Sequence, residues 1–173
     1  TEPRQPYIVM EFVPGMDLAE VLSKQGPLNP RPAASFIIQA CEALAEAHSM
    51  GIVHRDLKPA NLFLTHRADG SLLIKVFDFG ISKRPQQTSD SESEQTKSLT
   101  LTRKGAILGS PEYMAPEQFV DAGTVDGRAD VWGLGIVLYE LLTGSTPFSG
   151  SSIPAFIRAI NAGARRVETL RPD

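Results

Sequence analysis

The spacing of apolar residues predicts two helices in the first part of the chain. Asp17, with Glu20 three residues later, forms a capping pattern that opens a short helix, and Gly26 ends it. Asn29-Pro30 opens a second helix, with Asn29 as its cap. The residues that recur at helical spacing, and that we expect to form the buried face of this helix, are Ile37, Cys41, Leu44, Ala47 and His48.

Two more helices are predicted in the last third of the chain. Residues 130–142 are apolar nearly all round, which is typical of a helix buried in a core. Gly133 and Gly135 do not extend to the GxGxxG pattern of a dinucleotide site, so we interpret them as positions of close helix packing. Residues 156–160 predict a final amphipathic helix that stops near Gly163.

One hairpin is predicted between the helices. Residues 62–65 and 72–77 favour β-structure and flank the turn signal Asp69-Gly70. If the turn centres on these two residues, antiparallel pairing places Asn61 opposite Asp78 at the open end of the hairpin. Helices together with an antiparallel hairpin indicate an α+β fold.

Charged and oxygen-bearing side chains converge at the open end of this hairpin. The amide of Asn61 and the carboxylate of Asp78 supply hard oxygen ligands, which suit Mg²⁺. Asp56 and Lys58 lie on the loop that leads to Asn61, and they bring a candidate base and a cation. This combination is typical of phosphoryl transfer.

The composition of the chain limits which binding partners and which cell compartment we expect. The chain has 173 residues, 42% of them hydrophobic, and can bury a sizeable core, while its net charge of −3 gives no reason to expect nucleic acid as a partner. Cys41 is the single cysteine, so neither a disulfide framework nor a cysteine zinc site is available. The longest apolar stretch, residues 131–142, is too short for a membrane span and contains Glu140. With no signal segment, we expect a cytoplasmic location.

Three motifs, in this order, resemble the eukaryotic-type (Hanks-type) protein serine/threonine kinases, and their bacterial members in particular. They are His54-Arg55-Asp56-Leu57-Lys58-Pro59-Ala60-Asn61, Asp78-Phe79-Gly80 and Ala115-Pro116-Glu117. The resemblance implies a protein-kinase-like fold, with a mainly helical carboxy-terminal lobe and a small β-hairpin at the catalytic loop. By the same resemblance, residues 1–13 would form the last strand of the amino-terminal lobe and the hinge, and residues 14–173 an incomplete carboxy-terminal lobe.

The resemblance also implies a role for each residue of the site. Asp56 would be the base that orients the substrate hydroxyl, and Lys58 would counter the charge on the γ-phosphate. Asp78 and Asn61 would bind the metal ions, Mg²⁺ or alternatively Mn²⁺. The residues implied to contact ATP are Met10 as gatekeeper, the backbone of Glu11 and Val13, Asp17 at the ribose and Phe63 beneath the adenine. Helix capping alone would also explain Asp17, and core packing alone would explain Phe63.

A polar run at residues 85–99 cannot bury enough apolar surface to order itself, and its position between the motifs resembles an activation loop. Arg55 would hold a phosphate on this loop with its fork of donors. Thr102 is the preferred phosphate acceptor and Thr100 the second candidate.

Two further residues have supporting roles by resemblance. Ser110 stands where the family has a threonine, and it keeps a hydroxyl that can bond Asp56 and Lys58. Asp130 would cap the backbone of the catalytic loop.

The family pattern also contains parts that these residues lack, namely a glycine-rich loop and an ATP-binding lysine, which are expected before Tyr7. We therefore expect a fragment that binds ATP poorly and has little or no activity by itself, from a parent that phosphorylates serine and threonine in proteins. A pseudokinase or scaffold that uses the lobe as an interaction module is the alternative. A small-molecule kinase of related fold is disfavoured because residues 109–117 resemble a platform for a peptide substrate. A membrane tether outside these residues is compatible with this interpretation.

Overall fold

A computed structural model describes residues 11–79, 110–120 and 125–171. The described chain is mainly helical and carries one small antiparallel sheet. In chain order the elements are β1 (Met16–Asp17), α1 (Leu18–Gln25), α2 (Pro30–Ser49), a 3₁₀ turn (Pro59–Asn61), β2 (Leu62–His66), β3 (Leu72–Val76), 3₁₀ turns at Pro111–Tyr113 and Pro116–Phe119, α3 (Arg128–Thr143), α4 (Ile153–Ala162) and α5 (Val167–Leu170). The predicted helices and hairpin are confirmed, while β1 and α5 were not predicted.

The sheet has three strands in the order β1-β2-β3, so the predicted hairpin carries an additional short strand at its edge. Asp17 of β1 pairs with Phe63 of β2. Gly15 precedes β1 with φ of +141°, and a Cβ at this position would overlap the carbonyl oxygen of Leu64. Only glycine tolerates both the torsion and the close approach. Of residues 1–13, which the resemblance assigns to a strand and the hinge, the structure describes residues 11–13, and these have no regular secondary structure.

The register of the hairpin differs by one residue from the prediction. Leu62 pairs with Val76, and the Phe77 N–H donates to the carbonyl of Asn61 at 2.9 Å. Asn61 therefore lies opposite Phe77, and Asp78 is the next residue along the chain. The loop has three residues, 68–70, because the Arg67 N–H bonds the Ser71 carbonyl and Gly70 takes the left-handed conformation. A three-residue loop moves the centre of the turn from the Asp69-Gly70 bond to Asp69 itself.

The buried face of α2 also differs from the predicted face. Cys41 is exposed, so its assignment to the core was wrong, and Ile37 is only partly buried. The buried residues of α2 are Ala33, Phe36, Ala40, Leu44 and Ala47. Three of these are alanines seven residues apart, which lets α2 approach its neighbours closely. The prediction was centred on larger apolar side chains, and small residues give a weak periodic signal.

The main core lies between α1, α2, α3 and the sheet. It includes Leu18 of α1, Phe36 of α2, Leu62 of β2, and Val137 and Leu141 of α3, all nearly inaccessible to solvent. This core fixes the start of β2 and the middle of α3, and the loop that carries Asp56 lies between these two places. Among the described helices, none is both long and apolar enough to cross a membrane.

The helix ends follow the predicted caps with two exceptions. The Asp17 carboxylate accepts the Glu20 N–H at 2.8 Å, as predicted, but the Glu20 side chain pairs with Lys24 and so does not complete the capping box. Asn29 occupies the cap position of α2 without a side-chain cap bond, and its amide oxygen accepts a hydrogen bond from Arg171.

The predicted all-round burial of α3 was only partly right. Val131 is 68% exposed, and Gly135 has no atom within 4 Å of where a Cβ would stand. Gly133 alone of this pair packs closely, against Leu57 of the catalytic loop.

Candidate active site

Asp56 lies on an irregular loop between α2 and the first 3₁₀ turn, and its hydrogen-bond partners include His54, Lys58 and Asn61. Its N–H donates to His54 Nδ1 at 3.2 Å, and its carbonyl accepts from Asn61 Nδ2 at 2.7 Å. Its carboxylate accepts from Lys58 Nζ at 3.1 Å, in a pair whose side chains are about a quarter exposed. The backbone and carboxylate of Asp56 therefore have a fixed direction before any ligand binds, as a positioned base requires.

Asp130, at the start of α3, anchors the loop that carries Asp56. Its side chain is 1% exposed. Oδ2 accepts from the His54 N–H at 2.9 Å, and Oδ1 accepts from the Arg55 N–H at 2.8 Å. These two bonds confirm the predicted capping of the catalytic loop. His48 of α2 adds a third bond, from Nε2 to Oδ2 at 2.7 Å, so a buried carboxylate is satisfied by three donors.

His54 joins the catalytic loop to the hairpin. Its ring is fully buried, and Nε2 lies 2.8 Å from the carbonyl oxygen of Phe77. A carbonyl only accepts, so Nε2 carries the proton, and Nδ1 is then free to accept the Asp56 N–H. The neutral ring is thus satisfied at both nitrogens, and it also packs against Phe79.

Backbone strain is concentrated at the same place. In the part of the chain that the structure describes, the non-glycine residues with positive φ are Arg55 at +66° and Asp78 at +57°. Such conformations cost about 1–3 kcal/mol each and persist only where the surroundings enforce them. Arg55 belongs to the motif at residues 54–61, and Asp78 belongs to the motif at residues 78–80. Both strained residues therefore lie in motifs that carry the predicted chemistry.

The side chains of Asn61 and Asp78 fit a divalent cation that prefers oxygen. Asn61 Nδ2 donates to the Asp56 carbonyl, so the amide nitrogen is engaged and Oδ1 is the atom of this side chain suited to a cation. Asp78 is exposed, and Phe77 before it pairs with Asn61, so the two residues lie at the same end of the hairpin. An amide oxygen and an exposed carboxylate are a donor set that Mg²⁺ accepts.

Two of the predicted nucleotide-contacting residues, Asp17 and Phe63, lie on the neighbouring strands β1 and β2 of the sheet. Asp17 and Phe63 are register partners, and the Phe63 ring packs edge-on against Phe77. Val13 is partly buried, while Glu11 reaches Lys75 of β3 at 3.1 Å. Met10 lies outside the described residues. The capping role of Asp17 is observed, and this role leaves its second carboxylate oxygen for another partner.

Arg55 and Ser110 border a small recess beside Asp56, which Tyr113 and Gly133 also line. Arg55 Nη2 donates to the Val125 carbonyl at 3.0 Å. Arg55 Nε is buried and has no hydrogen-bond partner within the described residues. The two predicted phosphate acceptors, Thr100 and Thr102, lie outside them.

Tyr113 and Glu140 form a further polar pair near this recess. The Tyr113 hydroxyl donates to Glu140 Oε2 at 2.7 Å. Burial, and then the bond to Glu140, raise the pKa of Tyr113 above its usual range. Burial also raises the pKa of Glu140, the nearby charge of Glu112 raises it further, and the Tyr113 bond opposes this shift.

Sequence reasoning missed residues that hold the site without belonging to its motifs. Gln118 bonds both the Ala115 N–H and the Arg55 carbonyl, and the Thr65 hydroxyl bonds the Pro14 carbonyl at 2.7 Å. Gln118 follows Ala115 by three residues, which is the spacing of a capping box. Because Ala115 lacks a side-chain acceptor, the sequence signal was incomplete.

Comparisons with known proteins agree with this geometry. Residues 1–169 match the family described as the protein kinase domain. The chain is similar to the serine/threonine-protein kinase Pkn1 of Myxococcus xanthus, at 44% identity over 153 residues, 88% of this chain and 20% of that protein. It is similar to the serine/threonine-protein kinase PknB of Mycolicibacterium smegmatis, at 43% identity over 147 residues, 85% of this chain and 21% of that protein. The chain thus spans about a fifth of the length of these curated relatives.

A solved structure shares the fold. The crystal structure of Rad53 1-466 in complex with AMP-PNP aligns with 94% of this chain and 36% of its own chain, with a TM-score of 0.67 and 30% sequence identity.

Proposed function

The chain belongs to the protein kinase domain family, and from this premise we propose that its protein transfers the γ-phosphate of ATP to serine and threonine residues of protein substrates. The observation that carries the proposal is the arrangement around Asp56. Its carboxylate is paired with Lys58, and its backbone is fixed by His54 and Asn61. The names of the relatives, which are serine/threonine-protein kinases, support the choice of hydroxyl acceptor.

In this proposal Asp56 orients the substrate hydroxyl and accepts its proton as the oxygen attacks the γ-phosphorus. The bond from the γ-phosphorus to the bridging oxygen breaks, and ADP leaves. Lys58 stands beside Asp56 and neutralises charge on the transferred group. Because such a transition state is loose, positioning and charge neutralisation supply most of the rate.

Asn61 Oδ1 and the Asp78 carboxylate would hold the metal, for which we propose Mg²⁺, with Mn²⁺ as the alternative. A divalent cation bound there neutralises the phosphate oxygens of ATP. The positive φ of Asp78 supports this assignment, since strain of this kind occurs where a side chain must face a ligand. The rate of phosphoryl transfer by the wild type, measured with Mg²⁺ and with Mn²⁺, distinguishes the two ions. The same rates for Asn61→Ala test whether Asn61 is a metal ligand.

We further propose that Met10, Glu11 and Val13 line the adenine site with Phe63, and that Asp17 meets the ribose. The bond from Thr65 to Pro14, which holds the segment after Val13 against β2, supports this placement. Because ATP is a cytoplasmic metabolite, we place the activity in the cytoplasm.

We also propose that Arg55 binds a phosphate carried by the predicted activation loop and that this contact regulates the activity. Its buried Nε, which has no partner within the described residues, is a donor suited to such a phosphate. Thr102, or Thr100, would carry the phosphate. Mass spectrometry of the purified protein, followed by activity measurements on Thr102→Ala and Thr100→Ala, tests this assignment.

The deciding experiment measures transfer of labelled γ-phosphate by the full-length protein and by its Asp56→Asn variant. Loss of the base should lower kcat by about 10²- to 10⁴-fold. Asp69→Asn is the matched control, because Asp69 is an exposed residue of the hairpin turn and should leave the rate unchanged. Equal labelling of a protein substrate by wild type and Asp56→Asn would contradict the role of Asp56. No transfer by the wild type would favour the alternative of a non-catalytic interaction module.

A further inference from the structure

Gln118 connects two parts of the site that are distant in sequence. Its Nε2 donates to the carbonyl oxygen of Arg55 at 2.9 Å, and its Oε1 accepts the N–H of Ala115, also at 2.9 Å. Arg55 lies in the catalytic loop, and its carbonyl belongs to the peptide bond that leads into Asp56. Ala115 lies in the segment 110–119, which borders the recess beside Asp56. This segment contains most of residues 109–117, which resemble a platform for a peptide substrate, and we call residues 110–119 the platform from here on.

The chemistry of this bridge needs both ends of a primary amide. A carboxylate at position 118 could accept from Ala115 but would repel the Arg55 carbonyl, and a lysine could donate but not accept. Ala115 is fully buried, so an unsatisfied N–H there would be costly. Glutamine satisfies both groups and fixes the separation of the two backbones.

The catalytic loop has other anchors as well, whereas Gln118 supplies a polar link between the platform and this loop. Asp130 holds the Arg55 N–H, and His54 and Asn61 hold Asp56. Loss of the Gln118 amide should therefore leave the loop in place and allow the platform to shift relative to it. The hydrogen bond between Tyr113 and Glu140 would continue to hold the platform to α3.

We propose that Gln118 is a positioning residue that sets the platform relative to Asp56 and thereby aligns a protein substrate with the base. The inference rests on the proposed kinase function. It assigns Gln118 no contact with ATP or with the transferred phosphate. Its effect should appear with a peptide acceptor and be absent when water is the acceptor, because water does not use the platform.

The test compares two rates in the full-length protein: transfer of phosphate to a mixed serine- and threonine-containing peptide, and hydrolysis of ATP without peptide. The variants are Gln118→Glu, which keeps only the acceptor, and Gln118→Met, which removes both polar groups at similar volume. Gln39→Glu is the matched control. Gln39 also bridges two segments, through an Oε1 that accepts from Ile74 N–H at 3.2 Å and from Arg67 at 3.3 Å, but it lies on α2 away from the site. Thermal melting of each variant accompanies the rates.

We expect kcat/KM for the peptide to fall about tenfold or more in both Gln118 variants, because a displacement near 1 Å has effects of this size or larger. ATP hydrolysis should stay within about threefold of wild type, and Gln39→Glu should change neither rate. The inference is overturned if both rates fall together or if neither variant folds, because Gln118 would then be purely structural. It is also overturned if neither rate falls, because Gln118 would then have no role in either reaction. A wild-type protein that hydrolyses no ATP and labels no peptide overturns the proposed function itself, which separates the two failures.

Discussion

His54 donates its ring Nε2–H to the carbonyl oxygen of Phe77, 2.8 Å away, and so bonds the loop of Asp56 directly to the residue before Asp78. The same ring accepts the Asp56 N–H at Nδ1. One buried neutral side chain therefore holds the candidate base and the candidate metal ligand in a fixed relation. The bond also satisfies a carbonyl at the point where β3 has ended.

The first prediction concerns this ring. His54→Phe keeps the ring volume and the packing against Phe79 but removes both hydrogen bonds. Because the Asp56 N–H and the Phe77 carbonyl would lose their partner, the free energy of unfolding should fall by about 1–3 kcal/mol. Chemical denaturation measures this loss. His66→Phe is the control, since His66 is exposed at the far end of the hairpin, and it should change stability little. A His54→Phe protein as stable as wild type would show that the ring acts only by packing.

The second prediction concerns Asp130. In Asp130→Asn one of the two oxygens becomes an NH₂ group that faces the donors of His54, Arg55 or His48. We expect the free energy of unfolding to fall by about 1–3 kcal/mol and phosphoryl transfer to fall with it, because the loop loses an anchor.

Denaturation and rate measurements on Asp126→Asn provide the control for Asp130. Asp126 pairs with Arg128 on the surface, with 55% of its side chain exposed, so Asp126→Asn should change the free energy of unfolding little. Equal effects of the two substitutions would contradict the anchoring role.

The residues of the candidate site could be picked out from the sequence because most of them are close together along the chain. Asp56, Lys58 and Asn61 lie within six consecutive positions, and the hairpin returns the chain to Asp78. The error of one residue in register arose from the turn, since a two-residue and a three-residue loop share the same Asp-Gly signal. Periodicity alone does not distinguish them.

Other features depend on contacts that no local pattern encodes. The burial of Ala33 and Ala40 in place of Cys41 follows from how closely α2 packs on its neighbours. The bridge from Gln118 to Arg55 joins residues 63 positions apart. Such long-range contacts are decided by tertiary packing, and the sequence of either segment carries only half of each contact.

The third prediction concerns pH. Because burial raises the pKa of Glu140, the folded protein binds a proton there more tightly than the unfolded chain does. The stability from this effect is fully present below the unfolded pKa of about 4.3 and is lost as the pH rises through the folded pKa. From about pH 4 to pH 7, wild type should therefore lose stability relative to Glu140→Gln, by less than about 1 kcal/mol because the group is partly exposed.

Urea denaturation across this pH range measures the effect at Glu140. The glutamine keeps an oxygen that accepts from the Tyr113 hydroxyl, so the hydrogen bond does not confound the comparison. Glu46→Gln, on the exposed side of α2, is the control and should follow wild type. A difference between wild type and Glu140→Gln that does not change with pH would rule out titration of Glu140 as its cause.

The last prediction uses two glycines of α3 that are two residues apart. A Cβ on Gly133 would lie 3.1 Å from the Cβ of Leu57, which stands between Asp56 and Lys58, whereas a Cβ on Gly135 would meet nothing within 4 Å. Gly135→Ala should raise the free energy of unfolding by about 0.5–1 kcal/mol, because alanine is the better helix former and the site is open. Gly133→Ala gains the same helix propensity but overpacks the loop, at a cost of about 1–3 kcal/mol.

Gly133→Ala should therefore be less stable than Gly135→Ala. Its phosphoryl transfer should also be slower, because Leu57 must move and displaces Asp56 and Lys58 with it. Thermal melting and transfer rates of the two variants test this pair. If Gly133→Ala matched Gly135→Ala in both measurements, the contact between α3 and Leu57 would not control the position of the catalytic loop.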